Sequence, residues 1–93
     1  MRFRERVAMV TGGGNGIGQA TARRLAAEGA AVLILDPNED AAQRGVAAIT
    51  AAGGRAAASI GSVTEEADIA AAVAQANATF GAIDVLVNNA AFT

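Results

Sequence analysis

Apolar positions along this chain fall into two rhythms that take turns from one end to the other. Val7–Thr11 and Ala31–Leu35 are unbroken apolar runs too short for a helix, the pattern of strands covered on both faces, and Ile83–Val87 forms a further apolar strand. Ala56–Ile60 is weaker by propensity and is assigned as a strand because the alternation requires one there. Between these runs the spacing is helical. Ile17, Thr21 and Leu25 recur every four residues with Ala22 and Ala26 beside them, while Gln19, Arg23, Arg24 and Glu28 face elsewhere. Val46 and Ile49 mark the buried side of a second helix, and Ile69, Val73, Ala76 and Phe80 that of a third.

The punctuation agrees with this division. Gly29 suits the left-handed residue that ends a helix, and Gly53-Gly54 and Gly81 stand at the ends of the other two helical stretches. Asp36-Pro37 stops the second strand, and Asn38 is placed to cap the helix that follows, with Glu39 and Asp40 in its first turn. Ser62 or Thr64 is expected to open the third helix, with Glu65 and Glu66 in its first turn. Four strands alternating with three helices through short connections define an α/β fold with a parallel sheet, the first half only of a doubly wound architecture, spanning residues 1–93 as one domain.

Composition narrows the chemistry. With 53% hydrophobic and 17% charged residues the chain is a packed domain, of marginal stability at 93 residues. A net charge of -2, with both signs interspersed, offers no field for nucleic acid or an anionic membrane surface. The chain contains no Cys, His, Trp, Tyr or Lys, which excludes disulfides, zinc sites built on Cys or His, serine–histidine catalysis and Schiff-base chemistry. No catalytic residue and no metal site is therefore assigned. Arg2, Arg4 and Arg6 precede an apolar run, Val7–Val10, far too short for a signal peptide, and no run could span a bilayer, so a cytoplasmic location is expected.

The candidate chemistry lies where the first strand meets the first helix. Gly12, Gly16 and Gly18 let the chain turn sharply, let a pyrophosphate approach the backbone and let the helix pack close to the sheet, with the N–H groups of Gly16, Ile17 and Gly18 turned to the phosphates. Thr11-Gly12-x-x-x-Gly16-Ile17-Gly18 closely resembles the signature of the short-chain dehydrogenase/reductase family, and Asn88-Asn89-Ala90 resembles the N-N-A-G motif of the same family, with Ala91 in place of the usual glycine. The resemblance covers nearly the whole chain and implies a Rossmann-like fold binding NAD.

Asp36 stands eighteen residues beyond Gly18, where an acid is expected to accept hydrogen bonds from the adenosine ribose and to repel the 2′-phosphate of NADP. Family members often carry Asp-Val after the third strand to hold adenine. Here Ser62-Val63 takes that place, leaving Ser62 with either an adenine contact or a helix cap, and Val63 with its main-chain N–H. By resemblance, Asn15 joins the cofactor loop, Asn89 and Ala90 line the cofactor, and Asn88 steadies the strand end.

The resemblance further implies hydride transfer between NAD(H) and an alcohol or ketone in a complete enzyme, and a homo-oligomer. The Tyr-x-x-x-Lys pair that carries the family's proton chemistry has no counterpart here. The expectation is accordingly an inactive, truncated oxidoreductase. The alternative is a free-standing, non-catalytic nucleotide-binding or regulatory module. As it stands, the fourth strand is expected to present an apolar edge that favours association.

Overall fold

The structure, a computed structural model, describes residues 5–12 and 16–89. Strands β1 (Val7–Thr11), β2 (Ala31–Asp36), β3 (Arg55–Ile60) and β4 (Val85–Asn88) alternate with helices α1 (Gly16–Ala27), α2 (Glu39–Ala51) and α3 (Glu66–Thr79). All neighbouring strands are parallel, in the order β3-β2-β1-β4. The expected α/β fold with a parallel sheet is the one observed.

Strand periodicity explains how two helical layers share one sheet. Ala8 and Val10 of β1 and Val32 and Ile34 of β2 face one way, where they meet Ala22 and Leu25 of α1 and Ala42 and Ile49 of α2. Val7, Met9, Leu33 and Leu35 face the other way and meet Ala72 and Ala76 of α3. Every residue of β1 and β2 is buried. Alanines on the helices let the backbones approach the sheet closely, so the branched side chains of the two central strands fill most of the interior.

The helix ends follow their local chemistry. Asn38 accepts the Ala41 N–H at 2.9 Å through Oδ1, capping α2. At the end of α1, Gly29 has φ 105°; its N–H donates to Ala26 O, and that of Ala30 to Leu25 O, both at 3.0 Å. The same paired bonds close α2 at Gly53 and Gly54.

Three elements depart from expectation. Ile17 is 76% exposed, because the inward stripe of α1 is Gly18, Ala22 and Leu25 and its neighbour Ile17 lies about 100° round the helix from Gly18. Strand β4 starts at Val85, two residues later than Ile83. Asp84 accounts for the delay, since its Oδ2 accepts the Val7 N–H at 2.9 Å and takes a ladder donor that a strand residue would otherwise use. Helix α3 begins at Glu66, with Glu65 in the cap position and no side-chain capping bond, so neither Ser62 nor Thr64 opens it. The Ser62 hydroxyl is engaged within the preceding loop, where it accepts the Thr64 N–H at 3.2 Å and pairs with Thr64 Oγ1 at 2.7 Å. The basic lead-in at Arg2 and Arg4 lies outside the described residues.

The strand order creates the site. β1 is flanked by β2 on one side and β4 on the other, so the connections diverge from it and leave a crevice beyond the carboxyl ends of the strands, the usual ligand position in open parallel sheets. Among the described residues no helix is long and apolar enough to cross a membrane, and no cluster of three or more His, Cys, Asp or Glu side chains could hold a metal ion.

Candidate functional site

Glycine geometry brings the two ends of the sequence together at that crevice. Gly12 and Gly16 have φ 67° and 51°, in the left-handed region that other residues enter at a cost. Gly18 serves a different purpose. A methyl group built on it would lie 2.0 Å from Gly12 O and 2.7 Å from Asn89 Nδ2, so α1 can seat against the end of β1 only because position 18 lacks a side chain. A methyl at Gly16, in contrast, would meet nothing within 4 Å. The space beside Gly16 is open, as a backbone approached by a ligand requires.

Thr11 ties the strand ends below this turn. Its hydroxyl donates to Asn88 Oδ1 at 3.0 Å and accepts the Asn89 N–H at 2.9 Å. Asn88 thus holds the β1–β4 junction, and Asn89 is carried to the first turn of α1. In the sequence Thr11 stands at the end of the first apolar run and at the start of the glycine signature. A hydroxyl at the end of a buried strand was the signal for its bridging role, since a buried Thr must find partners for its polar atom.

The first turn of any helix leaves N–H groups without partners inside the helix, and Gly16, Ile17 and Gly18 occupy that turn of α1. α2 carries Glu39 and Asp40 in its first turn and α3 carries Glu66 and Asp68, whereas α1 carries no acid there. Its positive end is left uncompensated by local carboxylates, which favours an anion from outside. The exposed Ile17 side chain stands at the same place.

The other predicted residues converge from β2 and β3. Gly12 N–H donates to Leu35 O at 2.8 Å, setting the glycine turn beside the end of β2, where Asp36 is buried and its Oδ1 accepts the Asn38 N–H at 2.9 Å. Asp36 O in turn accepts the Gly61 N–H at 3.1 Å, which brings the Ser62-Val63 loop alongside. Val63 joins Thr11 and Asn88 around a cleft of about 150 Å³ whose floor is Met9 and Leu35. Gly12, Gly16, Ile17, Gly18, Asp36, Ser62, Val63 and Asn89 therefore all lie at the carboxyl edge of the sheet. Asn15 and Ala90, together with Gly13, Gly14 and Ala91, lie outside the described residues.

Residues 6–93 match the family model described as short chain dehydrogenase. The chain belongs to the short chain dehydrogenase family. It is 56% identical over 84 residues to the short-chain reductase protein NovJ of Streptomyces niveus, an alignment covering 90% of this chain and 32% of that protein. It is 46% identical over 89 residues to a cyclohexanol dehydrogenase of Acinetobacter sp. (strain SE19), covering 96% and 36% respectively. Among solved structures, the hydroxysteroid dehydrogenase from Escherichia coli superimposes with a TM-score of 0.93 at 38% identity, over 97% of this chain and 38% of that one. The chain thus spans about a third of the length of these relatives. They are oxidoreductases, of a family that uses nicotinamide cofactors, and the region shared with them carries the glycine turn and the carboxyl edge.

Proposed function

We propose that residues 1–93 form the NAD-binding domain of an oxidoreductase that moves hydride between NAD(H) and an alcohol or ketone. The observation that carries this reading is the seat of Gly18 against Gly12 and Asn89, which joins both family motifs into one crevice beside Asp36. In it, the N–H groups of Gly16, Ile17 and Gly18 hold the pyrophosphate, with Gly12 opening the turn. The Asp36 carboxylate accepts from the adenosine ribose, the main chain at Ser62 and Val63 borders adenine, and Asn89 lines the path toward nicotinamide.

The dinucleotide, when bound, supplies the hydride acceptor or donor. This chain binds and orients it and contributes no tuned proton donor, since none of its residues is Tyr, Lys or His. A carboxylate at Asp36 favours NAD over NADP, because a ribose hydroxyl can donate to it and a 2′-phosphate is repelled. Titration calorimetry tests this choice. The parent chain is expected to bind NAD at least roughly tenfold more tightly than NADP, and Asp36→Ala to bring the two within about threefold. Tighter binding of NADP by the parent chain would contradict the assignment.

A further inference from the structure

The loop that borders the adenine position is held from below by a residue of α3. Asp68 Oδ2 accepts the Ser62 N–H at 2.9 Å. Its side chain packs on the bare α-carbon of Gly61, where an added methyl would lie 2.7 Å from both Asp68 Cβ and Cγ. Gly61 is in turn bonded to the end of β2 through Asp36 O at 3.1 Å. One carboxylate therefore fixes the loop between the ribose acid and the cleft that Val63 lines. Because Ser62 Oγ is engaged by Thr64, the loop presents its main chain rather than that hydroxyl. The position of Asp68 in the first turn of α3 also suits its charge, since that end of a helix is positive.

We infer that Asp68 is a positioning residue for adenine recognition, holding the Ser62–Val63 main chain at the register in which it reads the edge of the base. The inference rests on the nucleotide site proposed above and extends it to a residue that does not touch the cofactor. Its consequence is selectivity for the base, which differs from a general contribution to stability. NAD and nicotinamide hypoxanthine dinucleotide differ only at the base edge, where an exocyclic amine becomes an oxygen. A main chain held in register distinguishes the two, and a loosened one does so poorly.

Calorimetric titration of the whole chain with both dinucleotides tests this. The parent is expected to prefer NAD by roughly tenfold, the effect of one mispaired hydrogen bond at the base edge. Asp68→Ala should shrink that ratio to within about twofold, whereas Asp68→Asn, whose amide oxygen can still accept the Ser62 N–H, should keep most of it. An equal loss of affinity for both dinucleotides in Asp68→Ala, with the ratio intact, would make Asp68 merely structural and overturn the inference. So would a ratio in Asp68→Asn as small as in Asp68→Ala, or a parent that binds both dinucleotides equally. A parent that binds neither overturns the nucleotide site itself, and is thereby distinguished from failure of Asp68 alone.

Discussion

The two ends of the sheet differ in a way that runs against their size. At the amino end, a groove of about 740 Å³ opens between α1 and α2, lined by alanines and by Arg23, Arg24 and Arg55. At the carboxyl end the cleft below the glycine turn is about 150 Å³. Volume and arginines would point to the amino end as the anion site, and helix polarity points the other way. Both helices finish at that groove, so their carbonyl ends face it, and two of the arginines are engaged within the fold: Arg55 Nη2 donates to the backbone carbonyl of Gly29 at 3.1 Å, and Arg24 pairs with the Glu28 carboxylate at 2.8 Å. The carboxyl end gathers helix N-termini and glycines that let a ligand reach them. A site is defined by which backbone groups are presented, and the larger hollow is what remains where small side chains fail to fill the space between two helices.

The contrast can be broken by substitution at either end. The largest effect is expected from Gly18→Ala, whose methyl would overlap Gly12 O and force α1 away from β1. Overpacking of this kind costs about 1–3 kcal/mol or more. The variant should melt at a lower temperature by circular dichroism and lose nearly all NAD binding by calorimetry. Gly16→Val should leave the fold closer to intact, because the space there is open, while a β-branched residue at φ 51° costs roughly 1–2 kcal/mol and screens the backbone from phosphate. Its NAD affinity should fall on the order of tenfold with the circular dichroism spectrum retained. A folded Gly16→Val that binds NAD like the parent would remove the phosphate role of the turn. The smallest effect belongs to the amino end. Arg55→Ala removes an exposed bond to Gly29 O and should change stability by no more than about 0.5 kcal/mol, with NAD affinity within about twofold of the parent. A large loss of affinity in Arg55→Ala would reverse the assignment of the two ends.

Much of this architecture was legible in the chain because strand and helix periods are short-range signals. β1 and β2 read as apolar runs because both faces are covered, and Asn38 and Gly29 act at the helix ends through bonds to residues nearby in the chain. The glycine turn was legible because backbone geometry and close approach both demand glycine. What stayed hidden depends on partners distant in sequence. Thr11 bridges to Asn88 and Asn89 only once β4 lies beside β1, and the late start of β4 follows from Asp84 reaching Val7 across the same pair. Ile17 keeps apolar spacing with Thr21 and Leu25, yet stands outside the stripe set by Gly18. Asp68 was not singled out in the sequence, and its bond to Ser62 appears only when the β3–α3 loop folds back over it.

The most direct test of the central claim, that the nucleotide binds at the carboxyl edge, is a chemical-shift map of backbone amides on titration with NAD. The predicted result is a set of shifts confined to Gly12, Gly16, Ile17, Gly18, the Asp36–Asn38 corner, Val63 and Asn89, with Arg23, Ala48, Gly53 and Arg55 unmoved. Shifts concentrated on the α1–α2 groove, with the glycine turn silent, would contradict it.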